Sequence, residues 1–490
     1  MKLTIRNIIT SLSFHIITII CGFIVPKLII SNYGSDVNGV VASITQFLTY
    51  ITLLEAGFGP VIKSVLFKPI ANNDKKTIEK ILKASEKIFR RIAYLFIVYL
   101  AILCVVLPMV LSKEFDTLFT ISLLVIIAIS TFSEYFFGMT YKLFLHANQK
   151  SYVTYSINTI TLILNTIAVV VLVKVGTSIQ IVKLVGAFIF LLRPLVHNYY
   201  VKKKYNINLK NVKDDYVIKQ KWDALSQHIS YIIFTNTDII LLTLFSNMKE
   251  VSVYSICMLI FNSIRNVTNS FVGNLDASFG KMIAKENYDE LNKKFDKFVN
   301  YYYGIATILY ASTFFLIIPF IELYTKGITD ANYIRPVFAY LMLGYSFVYS
   351  LKVPYYDLVK VAGKFKETNK GAWIESILNI GISLALIFNF GIIGVAIGTL
   401  VATIFRTIQV MYFSSRNILN ISFIKTMKKL FLIVIEVLII YFVMYLIGKF
   451  TIKNYYNWIL YGTIVFVLSL IVVFLLNFSK NKIQKYHNKC

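Results

Sequence analysis

The stretch Tyr199–Trp222, YYVKKKYNINLKNVKDDYVIKQKW, is the longest polar interruption in a sequence that is otherwise mostly apolar helix. Its seven lysines mark it as cytoplasmic, because basic residues hold loops on that side of a membrane. The segments on its two sides read as two versions of one six-helix unit.

The chain has 490 residues, of which 57% are hydrophobic and only 15% charged, with a mean hydropathy of +0.69. A soluble protein of this size carries far more charge. Apolar runs of about 20 residues or more recur along the whole sequence, each enough to cross roughly 30 Å of hydrocarbon. The short alternating segments of a β-barrel are not seen. The fold class is therefore an all-α polytopic membrane protein. Fourteen transmembrane helices are predicted: Ile8–Ile30, Asn38–Phe58, Ile92–Leu111, Leu118–Ala147, Tyr152–Val173, Ile179–Tyr199, Ala224–Phe245, Val251–Gly273, Val299–Leu323, Pro336–Leu358, Ala372–Phe390, Ile392–Phe413, Leu430–Phe450 and Trp458–Phe478. The first run is too long for a signal-peptide core and has no small-residue cleavage site, so it counts as a span.

Charge tests that count. With the N-terminus inside, the inner segments hold 38 of the 50 Lys and Arg. The outer loops hold Lys113, Lys174, Lys249, Lys326, Arg335, Lys449 and Lys453. Removing one span would invert the bias for every later loop. Both termini are thus expected in the cytoplasm. The net charge of +26 has the same source, and nucleic acid is not an expected partner. Cys21, Cys104, Cys257 and Cys490 have neither metal-like nor redox spacing.

An internal repeat runs parallel to itself. Leu12-Ser13-Phe14-His15-Ile16 matches Leu225-Ser226-Gln227-His228-Ile229, and Lys68-Pro69-Ile70-Ala71 matches Lys281-Met282-Ile283-Ala284. Three residues then drop out, aligning Glu79, Lys83, Glu86 and Lys87 with Asp289, Lys293, Asp296 and Lys297. The expected organisation is an N-terminal lobe over 1–199, a basic linker over 200–222, a C-terminal lobe over 223–414 and two further helices with a tail over 415–490. Thr77–Arg91 and Asp289–Val299 each gather apolar residues on one face. They read either as amphipathic helices on the inner leaflet or as extensions of the next spans.

With Lys142, Arg193 and Lys449, near span ends, counted with the adjoining loops, five cations remain inside spans: Lys27, Lys183, Arg265, Lys352 and Arg406. Each costs roughly 2.5 to 3.5 kcal/mol at mid-bilayer on insertion scales, so none is expected to face lipid there. Lys27 and Lys183 lie near an outer end, within reach of snorkelling. The other three lie deeper and point to a polar interior. The acidic residues Glu55, Glu134, Asp238, Glu375 and Glu436 are either their structural partners or, for Asp238, Glu55 and Glu134, coupling-ion sites. His15 and His228 occupy matched positions and serve either as proton carriers or as hydrogen-bonding structural groups. Gly22 and Pro26 in the first span, and Pro354 in the tenth, predict helix interruptions. No phosphate-binding loop, metal cluster or large extramembrane surface is present in the sequence, so neither an ATPase nor another enzyme is expected, and no cofactor.

Several stretches carry a family likeness. Tyr33-Gly34 with Gly39 opens the second span, and Glu55-Ala56-Gly57-Phe58-Gly59 closes it. Asn236-Thr237-Asp238-Ile239-Ile240 lies in the seventh. Ala362-Gly363-Lys364-Phe365-Lys366-Glu367-Thr368 and Gly391-Ile392-Ile393-Gly394-Val395-Ala396-Ile397-Gly398-Thr399 come later. In this order they resemble the polysaccharide (Wzx-type) flippases of the multidrug/oligosaccharidyl-lipid/polysaccharide exporter superfamily. The resemblance implies two six-helix lobes working by alternating access on an undecaprenyl-pyrophosphate-linked oligosaccharide for surface polysaccharide. It implies that helices 1, 2, 7 and 8 line the cavity, with Lys27, Glu55, Asp238 and Arg265 foremost, and that a polysaccharide polymerase and glycosyltransferases are partners beside membrane lipids. Many members have twelve helices; lipid II flippases have fourteen, the extra pair forming a groove for the lipid tail. Lipid II flippase and multidrug or metabolite antiporter therefore stand as alternatives. So does a membrane-embedded glycan-assembly enzyme.

Overall fold

The computed structural model describes residues 2–55, 57–209, 222–271, 276–448 and 450–487, together with Val212 and Tyr216. Ten residues of the basic linker, including the Asp214-Asp215 pair, lie outside the described residues.

The order is α1 (Lys2–Tyr33), α2 (Ser35–Thr49), α3 (Thr52–Glu55), α4 (Gly59–Ala71), α5 (Lys75–Leu111), α6 (Thr117–Ser133), a π-helical turn (Glu134–Gly138), α7 (Met139–Ala147), α8 (Ser151–Lys174), α9 (Ile179–Tyr205), α10 (Trp222–Phe245), α11 (Met248–Ser270), α12 (Asp276–Ala284), α13 (Tyr288–Tyr324), α14 (Pro336–Val361), α15 (Phe365–Phe390), α16 (Ile392–Asn417), α17 (Phe423–Ile447) and α18 (Tyr455–His487). Among the described residues, thirteen helical stretches are long and apolar enough to cross a membrane. The protein is an all-α polytopic membrane protein. The one predicted span outside these thirteen is the eighth, on α11, whose 23 residues have the length but include Lys249, Glu250, Asn262, Arg265, Asn266 and Asn269.

The chain divides into two compact units, Met1–Ser255 and Ile256–Cys490. In the first, α1 packs on α8, α8 and α6 on α9, and α2 on both α6 and α10. In the second, α16 is held between α14 and α15, and α13 packs against α14, α17 and α18. Aromatic rings fill much of the second core: Phe295 meets Tyr355 edge-on at 5.1 Å between centroids, and Phe279 meets Phe295 at 5.8 Å.

The repeat is carried by helix boundaries. α2 and α11 begin at Ser35 and Met248, α5 and α13 at Lys75 and Tyr288, α9 and α16 at Ile179 and Ile392. Each pair has the spacing that relates Leu12 to Leu225. The ends of α4 and α12, and of α5 and α13, keep it too. The three-residue drop expected after Ala71 is absent: Asn73 and Glu286, both left-handed at φ 53° and 54°, occupy matched turns. Asp74 and Asn287 then cap matched helices, accepting from the backbone N–H of Thr77 and Glu290. Short charged matches mislead because Lys, Glu and Asp recur every few residues on any exposed helical face. The Thr77 hydroxyl and backbone N–H both donate to the exposed Asp74 carboxyl and hold it below the usual carboxylate range.

Thr77–Arg91 and Asp289–Val299 are not separate surface helices. Each is the first part of a continuous 37-residue helix, α5 or α13. Such a helix is about 55 Å long, well beyond the hydrocarbon thickness. The apolar face of the α5 extension, with Ile81, Leu82 and Phe89, is buried, and α5 packs on α4 and α7. In α13, Leu291, Phe295 and Val299 are buried in the core that includes Phe279 of α12 and Tyr355 of α14. The amphipathic signal is real; protein, not lipid, covers it.

The expected interruptions also move. Pro26 and Pro354 sit inside unbroken α1 and α14. The second span instead bends between α2 and α3, where Tyr50, Ile51, Leu53 and Leu54 each donate to the carbonyl three residues back. The fourth span carries the π-helical turn at Glu134–Gly138. Neither break needs a proline, because polar neighbours inside the bundle can satisfy freed backbone groups.

α15 and α16 are joined through Gly391 alone, at φ 53° and ψ −130°, a region open essentially to glycine. Three residues on, a Cβ at Gly394 would lie 2.6 Å from the Leu386 carbonyl oxygen. We predict that Gly394→Ala lowers the thermal midpoint of the solubilised protein, at a cost of about 1–3 kcal/mol. Gly381→Ala, on the same hairpin but with open space around it, leaves the midpoint unchanged or raises it.

Candidate functional site

The second unit concentrates charge on three neighbouring helices. Lys352 on α14 and Arg406 on α16 both reach Glu375 on α15. Lys352 Nζ stands 2.9 Å from Glu375 Oε1, and Arg406 Nε 3.5 Å from Oε2. All three are buried, with relative exposures of 7%, 2% and 6% for Lys352, Arg406 and Glu375. Arg406 Nη1 also donates to the Thr368 carbonyl at 2.8 Å and to Gln409 Oε1 at 2.6 Å. Gly371 is what admits it: a Cβ there would stand 2.7 Å from Nη1. One carboxylate thus holds two cations, and the cluster keeps a net positive charge.

Arg265 on α11 approaches this cluster through aromatic rings. Its Nη1 donates to the Tyr345 hydroxyl at 2.7 Å, and it also bonds Asn262 Oδ1. The guanidinium lies 5.3 Å from the Tyr345 ring centroid and 5.1 Å from that of Tyr349. Lys352 Nζ lies 4.8 Å from the same Tyr349 centroid. Arg265, Lys352 and Arg406 are therefore brought together in one array. Arg265 is its half-exposed member.

In the first unit, Lys142 Nζ stands 2.9 Å from Glu134 Oε1, and the Tyr135 hydroxyl donates to Glu55 Oε2 at 3.0 Å. Arg193 and His197 of α9 fall within electrostatic reach of Glu134. Arg193 Nε donates to Thr161 Oγ1 at 2.7 Å. The π-helical turn makes this grouping: at Gly138 the chain approaches α9 so closely that a Cβ would sit 2.6 Å from Pro194 Cβ. Glu55 and Glu134 thus share one polar cluster. Lys142, Arg193, Tyr135 and His197 belong to it, and sequence reasoning misses all four. On charge bias alone, Lys142 and Arg193 count with the cytoplasmic cations. The repeat spacing holds the missing signal, since Arg193 and Arg406 occupy matched positions on α9 and α16.

Asp238 on α10 is 3% exposed and accepts from the Tyr254 hydroxyl at 2.6 Å. It belongs to the first unit and Arg265 to the second. Lys27 is half-buried near the end of α1. Lys183 is half-buried and lines a cavity of about 340 Å³ within the first unit. Glu436 is buried on α17. His15 packs with Phe14 and Tyr155, at 5.7 and 6.4 Å between centroids, and His228 stacks on Tyr231 at 6.2 Å. Among the described residues, no group of His, Cys, Asp and Glu is placed to hold a metal ion.

Still within the first unit, α2 is fastened to the α10–α11 hairpin. Asn38 Nδ2 donates to Ser252 Oγ at 2.8 Å, Ser43 and Thr243 share a 2.8 Å hydrogen bond, and Lys249 pairs with Asp36 at 3.7 Å. At Gly39 the helices touch backbone to backbone, so that a Cβ would lie 1.9 Å from the Met248 carbonyl oxygen. The Met248 N–H donates to Glu114, at 3.1 Å to its nearer oxygen.

Neither a protein-family model nor a curated protein sequence matches the chain. Solved structures do. Over 95% of this chain and 98% of its own, the lipid II flippase MurJ in an inward closed conformation has a similar fold, at TM-score 0.71 and 16% identity. An inward-facing multidrug resistance MATE family transporter of the MOP superfamily aligns at TM-score 0.56 and 14% identity, over 83% of this chain and 97% of its own. The eukaryotic MATE transporter AtDTX14 aligns at 0.59 and 12%, over 84% and 94%. The fold is the one these MOP-superfamily transporters share.

The array around Glu375 sets a clear order of mutational costs. Glu375→Ala leaves Lys352 and Arg406 buried without their common counter-charge and is predicted to destabilise by on the order of 3–5 kcal/mol. Lys352→Met leaves the Arg406–Glu375 pair in place and costs much less. Thermal unfolding of both variants in one detergent measures the difference.

Proposed function

We propose that the protein is a flippase for an anionic, polyprenyl-linked glycan, working by alternating access across the bacterial cytoplasmic membrane. The observation that carries this reading is the extent of the fold likeness. The lipid II flippase matches nearly end to end, whereas the two MATE transporters cover most of their own length but only 83% and 84% of this chain. The excess is about the length of α17 and α18, which pack on α13 beyond the two repeats.

The physics of the cargo explains both features. A phosphate cannot enter hydrocarbon unpaired, because desolvating the ion costs many kcal/mol. A polyprenyl tail can remain in lipid. Transfer needs interior cations for the head and an apolar wall for the tail. Arg265, held by tyrosines and half-exposed, supplies the first. The exposed Leu438, Phe442 and Tyr445 of α17, with Leu470 and Ile471 of α18, offer the second. Lys352, Glu375 and Arg406 fix the helices behind Arg265 and keep the region positive; they are structural neighbours of the cargo rather than its first contacts.

Charge bias supports a cytoplasmic N-terminus, which puts the Asp36–Lys249 and Asn38–Ser252 contacts at the outer end. On this reading they close the periplasmic side, and the cargo enters from the inner leaflet. With the inside negative, carrying negative charge outward is favoured by about 2.3 kcal/mol per charge per 100 mV. Energy then comes from the membrane, without a nucleotide. The glycan is supplied by glycosyltransferases and consumed by a polymerase.

Purified protein in liposomes tests the proposal. Fluorescent lipid II-type or oligosaccharide-pyrophosphate lipid, placed in one leaflet, becomes accessible in the other at a rate proportional to protein. Arg265→Ala slows this at least about tenfold, from the loss of a charged hydrogen bond, with yield and thermal midpoint retained. Vesicles that move a cationic dye but no lipid-linked glycan would overturn it in favour of a drug antiporter. Chemical modification of the lipid-linked sugar would indicate an enzyme.

A further inference from the structure

The cavity beside Lys183 lies wholly inside the first unit. It is formed by α1, α2, α3, α6, α8 and α9, and its volume is about 340 Å³. Water occupies about 30 Å³ per molecule, so the space accepts roughly ten waters, or an ion with its hydration. Val25, Leu48, Val169 and Phe190 supply apolar wall. No acidic residue lines it.

The polar lining sorts into two sets. Thr45, Thr49, Thr52 and Ser130 spend their hydroxyl protons on carbonyls of their own chain, at 2.7–3.1 Å. Lys183, Asn165 and Thr131 line the same cavity and make no hydrogen bond or ion pair among the described residues. Asn165 is only 9% exposed. It lies against α9 one turn from Lys183, where Gly186 leaves it space: a Cβ at 186 would stand 2.6 Å from Asn165 Oδ1. An ammonium, an amide and a hydroxyl, all with hydrogens uncommitted, thus converge on one chamber.

Lys183 is half-buried, and an ammonium partly withdrawn from bulk water is stabilised by a counter-charge. Glu375 supplies one for Lys352, and Glu134 for Lys142. For Lys183 the cavity itself holds no carboxylate, yet it has room. We infer that this cavity is a binding site for a small monovalent inorganic anion, of the chloride class, held by Lys183 with Asn165 and Thr131 as hydrogen-bond donors. One fixed positive charge selects a single negative one. The oxygens of Thr45, Thr49, Thr52 and Ser130 accept from the waters that complete its shell. The site is separate from the array around Glu375, and it stands whatever cargo the protein carries.

Thermal unfolding of the full-length protein in detergent tests this, with sodium chloride, bromide or nitrate compared with sodium gluconate at constant ionic strength. Ligand binding to the native state raises the midpoint with concentration, and the expected rise is about 2 °C or more for chloride over gluconate. Lys183→Gln abolishes that rise while folding at least as stably in gluconate, because an uncompensated charge has been removed. Asn165→Leu weakens the rise, and Lys113→Gln, an exposed cation elsewhere, preserves it. Chloride-35 NMR of the same samples shows excess line broadening with wild type that falls at least tenfold with Lys183→Gln. Equal midpoints in chloride and gluconate for wild type, or a chloride shift that survives Lys183→Gln, would overturn the site.

Discussion

Charge inside hydrocarbon is the constraint on which the rest of the structure depends. A lone cation at mid-bilayer is expensive, and this chain carries several within its helices. The fold meets that cost by bringing helices together around shared carboxylates. Glu375 binds α14, α15 and α16 into one packet through Lys352 and Arg406. Glu134 ties its π-helical turn to α7 through Lys142 and faces Arg193 of α9. In each repeat the arginine on the last helix also bonds the helix before it, through Thr161 or the Thr368 carbonyl.

Around Glu375 two cations share one carboxylate, so pairing does not neutralise that cluster. On the proposed function, the surplus serves an anionic lipid head group. It is graded by depth of enclosure: Arg406 and Lys352 are committed to Glu375, and Arg265 stands half-exposed at the edge, braced by Tyr345 and Tyr349. Tyrosines can orient a guanidinium without cancelling its charge. Lys183 stands apart from both clusters, lining a cavity with no acidic residue in its wall.

Glycine sets how closely the helices carrying these charges approach. Gly371 makes room for Arg406, Gly138 for α9, and Gly39 for the α10–α11 hairpin. At each, a single methyl group would collide with a named atom. Several of the glycines that give the chain its family likeness are contact points of this kind. Spacing between helices, rather than chemistry, accounts for them.

The class, the number of spans and the repeat are legible in the sequence, because a membrane demands long apolar helices and each helix writes its own length into hydropathy. Arg265, Lys352, Arg406 and Glu375 stand out as interior charges for the same reason: a charge in an apolar run is conspicuous. Which charge meets which is not legible, since partners on α14, α15 and α16 are set by rotation of whole helices about their axes. Lys142 and Arg193 are hidden because proximity to a basic loop gives them a ready but incorrect home. The π-helical turn at Glu134 and the bend after Thr49 leave no proline or glycine signature; they arise where tertiary neighbours satisfy the backbone. The amphipathic faces of α5 and α13 are visible, but only packing decides that protein rather than lipid covers them, as burial of apolar surface rewards either cover alike.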